Sequence, residues 1–368
     1  IAFLLAVVVI VNLICFIPMS SMISLAMGNG TITDETSDES TALVQEIAEE
    51  GIVLLKNDGT LPLAADSNLN VFGWASTNPC YGGTGSGALS DAYPTVSLLQ
   101  GLEDAGFNLN TELSDFYTAY RADRPEVGMW AQDWTLPEPT ADSYTDEMMA
   151  NAKEFSDTAM VVITRVGGEG ADLPTDVSKV TYTDNSTEYK DFEAGEHYLQ
   201  LDRTERDMLD LVCSNFDNVI VVYNGANAME LGFINEYSQI KSAIWCPGTG
   251  QSGFEALGEI VAGTVNPSGK TSDTFVADLT ATPTWNNFGY FKYDNMDEYA
   301  YTSNNFKTGE EETALPSFVN YVDGIYVGYR FYETAAAEGL INYDDTVVYP
   351  FGSVSYTHLR AHETCADL

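Results

Sequence analysis

TAMVVITRVGGEGAD, residues 158–172, joins a run of apolar residues to a glycine-rich segment and decides the fold. Residues 158–164 are too uniformly apolar for a strand with one face in water, and such strands are typical of a parallel sheet covered on both faces. Two further buried strands are predicted over Asn218–Tyr223 and Ile240–Cys246. Helical patterns lie between the strands, so the predicted fold class is α/β, with a mostly parallel sheet flanked by helices.

Capping signals and apolar periodicity place the remaining elements along the chain. Asp202 is predicted to cap a helix, and Glu205, three residues later, completes a capping box. Thr95 is a second candidate N-cap. Strands are also predicted over 51–57 and 69–73, and helices over 42–50, 96–105, 202–214, 228–236 and 251–262. Residues 115–149 lack clear periodicity and are predicted to be an insertion or loop.

The loop that follows Thr164 is the candidate functional site. Ligands of open parallel sheets bind where loops leave the carboxyl ends of the strands. Glu169 lies in this loop among three glycines, which let a ligand approach the backbone closely. The residues by themselves fit either a carboxylate that transfers protons or a solvated glutamate on a glycine-rich surface loop.

The composition points to a neutral substrate. The 368 residues contain 15 Lys plus Arg against 55 Asp plus Glu, a formal charge of −40. Such a surface repels nucleic acid and anionic lipid, so neither is predicted as a partner. The five cysteines show neither metal-binding nor disulfide spacing, and those of the chain body are predicted to be small buried thiols.

The first 28 residues are predicted to be a signal peptide or a transmembrane anchor. Residues 1–17 are apolar apart from Asn12, and Ser24-Leu25-Ala26 offers a small-x-small cleavage site. We therefore expect an exported protein, extracellular or at the cell surface, with N-terminal membrane association as one option. Residues 29–41 are polar and acidic, and are predicted to form a linker.

Thr164–Asp172 resembles the S/T-R-x-x-G-E-G-x-D segment of glycoside hydrolase family 3 β-glucosidases. Other segments resemble the same family in the same order along the chain: 51–63 (GIVLLKNDGTLPL), 82–87 (GGTGSG), 247–251 (PGTGQ), 266–270 (NPSGK), 324–332 (GIYVGYRFY) and 350–352 (PFG). This resemblance implies the family's α/β-sandwich domain over 42–290. It also implies that 291–352 end that domain and lead toward a fibronectin-III-like module.

The resemblance implies a retaining exo-β-glycosidase, similar to β-glucosidases, that acts on an oligosaccharide or β-glucoside without cofactor or metal. Glu169 would be its acid/base, with a pKa above that of a solvated glutamate. Gly168, Gly170, Asp172 and Arg165 would bind substrate. The alternative for Asp172 is to orient the loop of Glu169, and the alternatives for Arg165 are to pair with a carboxylate or to cap the strand end. The nucleophilic aspartate would lie on a (β/α)8 barrel that is absent from this sequence, so the fragment by itself is predicted to be inactive. The predicted leader runs directly into the sandwich domain, so the barrel is expected to follow that domain, in an order reversed from the usual one of the family. The alternative is a non-catalytic carbohydrate-binding or sensory module with the same fold.

Several other short motifs are similar to catalytic or ligand-binding motifs, but none of them is predicted to be catalytic. Asp133-Trp134 is similar to the family's nucleophile dipeptide but lies in an irregular segment. Gly83-x-Gly85-x-Gly87 lacks the spacing of a dinucleotide loop, so a substrate-side or structural loop is predicted there. His197 is predicted to be exposed. His358 and His362 have a metal-ligand spacing, but they lie in a tail, 353–368, that resembles translated sequencing-adapter sequence, so they are predicted to have no role.

Overall fold

The computed structural model describes residues 2–16, 33–89, 93–120, 122, 134, 138–169, 173–179, 193–285, 294–305, 308–316 and 320–355. The chain divides into two compact units, Ile1–Leu43 and Val44–Leu368. Residues 44–290 of the predicted sandwich domain belong to the second unit, which also contains the candidate site.

The regular elements of the described residues are as follows. The helices are α1 (Ala2–Phe16), α2 (Asp34–Gly51), α3 (Leu98–Asp104), α4 (Thr111–Ala119), α5 (Asp146–Phe155), α6 (Arg203–Asn215), α7 (Phe254–Ala262), α8 (Tyr329–Ala337) and α9 (Tyr343–Thr346). The strands are β1 (Val53–Asn57), β2 (Asn68–Phe72), β3 (Asn108–Leu109), β4 (Thr158–Arg165), β5 (Asn218–Gly225), β6 (Ile240–Cys246), β7 (Phe275–Val276), β8 (Tyr301–Asn304), β9 (Glu311–Ala314) and β10 (Val347–Tyr349). Short 3-10 helices cover Trp74–Ser76, Gly85–Gly87, Ala141–Ser143, Val177–Lys179, Gly232–Asn235, Leu279–Ala281 and Met296–Tyr299.

The main sheet has six strands in the order β1-β6-β5-β4-β2-β3. Strands β2 to β6 run parallel, and β1 pairs antiparallel with β6 at one edge. The mostly parallel sheet predicted from the sequence is therefore confirmed. Two small antiparallel pairs, β7 with β10 and β8 with β9, lie outside it.

Helices cover both faces of this sheet. On one face, side chains such as Val161 and Val221 pack with residues of α4, α5 and α6. On the other, Met160 and Val222 pack with residues of α3 and α7. Successive strand residues point to opposite faces, and both faces are dry, which explains why β4 is buried at every position.

The strand order reverses direction between β2 and β4. From β2 the chain passes through α3 to β3 on one side, and it then returns to form β4 on the other side of β2. The later strands β5 and β6 continue away from β2. In open α/β sheets a crevice opens at such a reversal, beyond the carboxyl ends of the two strands, and ligands bind there.

Several helices begin or end at residues other than those predicted. Helix α2 begins at Asp34, inside the segment predicted as a linker, because Thr33 accepts the Thr36 amide and two acidic residues lie in the first turn. The N-cap of α3 is Ser97 rather than Thr95, since its side chain accepts the Gln100 amide. The capping box of α6, formed by Asp202 and Glu205, is confirmed.

Two other predictions of local structure are wrong. The helix predicted over 228–236 is only the 3-10 turn Gly232–Asn235, because the Glu230 amide donates to the carbonyl of Leu199 and draws this segment away from helical geometry. Conversely, the segment predicted as a loop contains the end of α4 and the start of α5. Helix α5 is capped by Thr145, whose side chain accepts the Met148 amide.

The first unit contains α1, a helix of 15 residues. Among the helices of the described residues, none is both long enough and apolar enough to span a bilayer.

Candidate active site

Glu169 lies at the reversal point, on the loop that leaves the carboxyl end of β4. Its side chain meets the glycine-rich loop that follows β2. The Ser86 amide donates to Glu169 Oε2 at 2.9 Å, and the Ser86 hydroxyl donates to the same oxygen. Two loops that are 83 residues apart in sequence are therefore joined at this carboxylate.

The close approach of these loops depends on glycine. Gly85 has φ +64°, and a Cβ on it would lie 2.8 Å from the Cβ of Glu169. A Cβ on Gly168 would lie 2.5 Å from Thr84 Oγ1 and 2.9 Å from its carbonyl oxygen. Gly168 packs against the backbone of Thr84, and Gly85 packs against the side chain of Glu169, so an added side chain at either position would separate the loops. Gly168, predicted as a substrate contact, thus has a packing role that the sequence did not reveal.

The structure places Glu169 in an exposed and polar environment. The hydroxyl and then the amide of Ser86 lower the pKa of the carboxyl below its usual value, and only slight desolvation opposes them. Donors directed at one oxygen favour the ionised form. The resemblance predicted a raised pKa for Glu169, but the structure gives a lowered one. The reason is that no burial accompanies the carboxylate.

Arg165 proves to be fully buried at the end of β4. Its guanidinium donates to both carboxylate oxygens of Glu205, at 2.8 and 2.7 Å, and to the carbonyls of Tyr198 and Gln200. Burial by itself would lower the pKa of Arg165, but the charge and hydrogen bonds of the adjacent Glu205 carboxylate, together with nearby groups, outweigh this effect, so the pKa lies above its usual value. The substrate contact predicted for Arg165 is therefore corrected, and the predicted pairing with a carboxylate is found instead. Arg165 ties β4 to α6 and to the 198–200 segment from inside the protein.

Gly170 and Asp172, the other predicted substrate contacts, lie outside the described residues, as do Asp133, His358 and His362. Trp134 is buried against Tyr198, with ring centroids 5.0 Å apart.

His197 was predicted to be exposed, and this is wrong, since only 2% of it is accessible. The Leu199 amide donates to Nδ1 at 3.2 Å, so Nε2 carries the proton and donates to Glu230 at 3.0 Å. The ring also packs edge-on against Trp285 at 4.9 Å. Glu230 and Trp285 are distant from His197 in sequence, so its acidic neighbours in the sequence do not indicate that the side chain is buried.

The thiols of Cys80, Cys213 and Cys246 are free and buried, as predicted. Burial raises the pKa of Cys80 to about 11, which makes it a weak nucleophile at neutral pH. Among the residues that the structure describes, no cluster of His, Cys, Asp and Glu could hold a metal ion.

Sequence reasoning missed Ser86 as the partner of Glu169. The signal was present, because the loops that follow β2 and β4 leave neighbouring parallel strands at the same edge of the sheet. The sequence does not show which residue of the glycine-rich loop faces Glu169, because that depends on how the two loops pack.

Known proteins match this chain along most of its length. The model of the glycosyl hydrolase family 3 C-terminal domain matches residues 52–329. Beta-glucosidase A of Butyrivibrio fibrisolvens is 31% identical over 348 residues, covering 91% of this chain and 37% of the relative. A beta-glucosidase of Ruminococcus albus is 28% identical over 319 residues, covering 86% of this chain and 28% of the relative. The chain thus spans about a third of the length of these curated relatives.

The fold is also similar to those of solved beta-glucosidase structures. A beta-glucosidase from Paenibacillus barengoltzii superposes with a TM-score of 0.65 at 28% identity, covering 86% of this chain and 29% of that one. Beta-glucosidase 3B from Thermotoga neapolitana, in complex with glucose, superposes with a TM-score of 0.64 at 25% identity, covering 87% and 38%. Sequence, domain model and fold agree, so the chain belongs to the family of the glycosyl hydrolase family 3 C-terminal domain.

Proposed function

We propose that this chain supplies the acid/base half of a retaining β-glycosidase active site, with Glu169 as the proton-transferring group. The observation that carries the proposal is the position of this exposed carboxylate. It stands at the reversal point of a parallel sheet, within the T-R-x-x-G-E-G segment, and Ser86 holds it in place. The named relatives are beta-glucosidases, which supports a β-glucoside as substrate.

Retaining hydrolysis proceeds by two displacements and needs two carboxyl groups about 5–5.5 Å apart. In the first, Glu169 would donate its proton to the glycosidic oxygen while a second carboxylate attacks the anomeric carbon. In the second, Glu169 would take a proton from the water that releases the sugar. The second carboxylate belongs, in this proposal, to a (β/α)8 barrel domain that faces the loops of Glu169 and Ser86.

The low pKa of Glu169 in this chain fits such a divided site. A carboxyl group must be protonated to act as an acid, and burial or a nearby negative charge raises its pKa. An opposing domain would supply both, since it would exclude water and bring the nucleophilic carboxylate close. The Ser86 contact would then hold the ionised form that serves as base in the second step.

A hybrid enzyme tests the assignment of Glu169. Residues 52–329 of this chain would replace the matching domain in beta-glucosidase A of Butyrivibrio fibrisolvens, with and without Glu169→Gln. An alkyl β-glucoside needs acid assistance, so we expect Glu169→Gln to lower its kcat/KM by about 10²- to 10⁴-fold. Dinitrophenolate leaves a 2,4-dinitrophenyl β-glucoside without a proton, so kcat/KM for this substrate should change little. Its kcat should fall because the second displacement lacks its base, and azide, which attacks without base assistance, should restore kcat.

The matched control is Glu236→Gln, which removes an exposed glutamate far along the chain from the site and should leave both substrates unaffected. If Glu169→Gln slowed both substrates equally, the acid/base role would be refuted. If an active hybrid kept full activity with Glu169→Gln, the carbohydrate-binding alternative would be favoured for this domain.

A further inference from the structure

We infer that Asn224 is a positioning residue that holds the Ser86 loop in the place where it meets Glu169. This inference deepens the proposed function and rests on it. Asn224 lies near the carboxyl end of β5, next to β4, and it is fully buried. Its side chain bonds to Cys80, so its effect on Glu169 would pass through the loop that follows β2.

The side-chain amide of Asn224 makes three hydrogen bonds to neighbouring backbone. Its Oδ1 accepts the Cys80 amide at 2.6 Å, and its Nδ2 donates to the carbonyls of Cys80 at 3.1 Å and Cys246 at 3.0 Å. Cys80 opens the glycine-rich loop, and Cys246 ends β6. One side chain therefore joins the exits of three parallel strands, β2, β5 and β6.

The fourth strand is joined at the same point. Thr164, in β4 and five positions before Glu169, donates its hydroxyl to the main-chain carbonyl of Asn224 at 2.8 Å and lies 3.5 Å from the side-chain Oδ1 of Asn224. The loop has further supports, because the Gly250 amide donates to the Tyr81 carbonyl at 2.7 Å. The two loops that meet at the carboxylate thus leave a common buried anchor.

The geometry requires asparagine. The site presents one backbone N–H and two carbonyls, and only a planar amide of this length offers the matching acceptor and two donors. Aspartate would lack the donors and place a charge in a buried position. Rotating the amide by half a turn would direct its NH2 at the Cys80 N–H, so the orientation is set by the network. Such satisfied buried groups specify a single arrangement of the segments they join.

The experiment measures the pKa of Glu169 in the 368-residue chain by NMR of ¹³C-labelled glutamate carboxyls, with Glu169→Gln used to assign the signal. Ser86→Ala removes the hydroxyl donor, so the pKa should rise toward its usual value. We expect Asn224→Ala, with Ser86 intact, to raise the pKa in the same direction. Asn215→Ala, at the end of α6, is the control and should leave it unchanged.

A merely structural role of Asn224 would lower the melting temperature without moving the pKa of Glu169. A folded Asn224→Ala protein with an unchanged pKa would therefore overturn the inference. Should Asn224→Ala fail to fold, hydrogen exchange of the wild type decides instead. The anchor requires the Cys80 amide to exchange as slowly as β5 amides, and rapid exchange would overturn it. Neither readout needs glycosidase activity, so failure here is separate from failure of the acid/base assignment.

Discussion

The environment of Glu169 depends on where Ser86 lies. Both donors of Ser86 reach one carboxylate oxygen, and they lower the pKa of the group, whereas a proton donor in catalysis needs a higher one. In this chain the Ser86 donors favour the ionised carboxylate, and the proposed acid role requires added burial or negative charge to raise the pKa. The same residue can serve both steps only if its surroundings change, which an opposing domain would bring about.

Gly168 offers a residue-scale test of the loop contact. We expect Gly168→Ala to lower the free energy of unfolding by about 1–3 kcal/mol, because the new methyl group would overlap the backbone of Thr84. Urea denaturation followed by tryptophan fluorescence would measure this. Gly87→Ala is the matched control in the partner loop, since a Cβ there meets nothing within 4 Å, and equal effects of the two substitutions would contradict the packing account.

The buried ion pair gives a second prediction at this scale. Glu205→Gln would leave the Arg165 charge buried without its carboxylate, so we expect a loss of about 3–5 kcal/mol in unfolding free energy. The comparison is Asp207→Asn, which breaks an exposed pair with Arg203 at 4.0 Å and should cost at most about 0.5 kcal/mol. Chemical denaturation of both variants measures the difference. Similar losses would show that the pair is not the cause.

At the scale of elements, the candidate site lies at the carboxyl ends of the strands, and closely packed helices cover the sheet that carries it. Parallel strands carry their carboxyl ends to one edge, which brings the loops after β2 and β4 together at the reversal of strand order. Helices α3 and α7 cover one face of the sheet and approach each other through Gly101 and Gly258. Small residues at such a crossing let two helix backbones come close.

Gly258 tests this crossing. In an ordinary helix, Gly→Ala stabilises by up to about 1 kcal/mol. Here a Cβ would lie 2.8 Å from the Gly101 carbonyl carbon and 3.0 Å from the Ala105 Cβ, so we expect Gly258→Ala to destabilise by about 1–3 kcal/mol. Gly51→Ala, at the end of α2 with open space around it, should be neutral or stabilising. Thermal melting compares the two, and a gain at Gly258 would refute the close crossing.

At the scale of the whole molecule, the net charge bears on which substrates and partners are expected. The formal charge of −40 fits a neutral sugar substrate and opposes anionic partners. The chain spans about a third of its curated relatives, and the proposal assigns the nucleophile to the part that it does not match. Export and membrane association stay predictions.

The divided site predicts that the 368-residue chain by itself does not hydrolyse p-nitrophenyl β-glucoside. One carboxylate cannot complete a double displacement, so release of nitrophenol should equal that of the Glu169→Gln protein. The assay measures absorbance over hours at high protein concentration. Robust turnover that Glu169→Gln abolishes would show that this chain holds both carboxylates and would reject the division.

The sequence by itself determined the features that depend on neighbouring residues. Apolar runs such as 158–164 have only one low-energy place, between two layers of helices, so the sheet was predictable. The capping box of Asp202 and Glu205 spans three residues and was correct for the same reason. The resemblance of the Glu169 segment to a known family was also local.

Tertiary structure alone decided the features that join distant segments. Ser86 meets Glu169 across 83 positions, Arg165 meets Glu205 across 40, and His197 meets Glu230 across 33. The direction of a pKa shift and the burial of a polar side chain depend on such partners, because solvation and nearby donors set the energy of a charge. A sequence read locally contains the groups but not the distances between them.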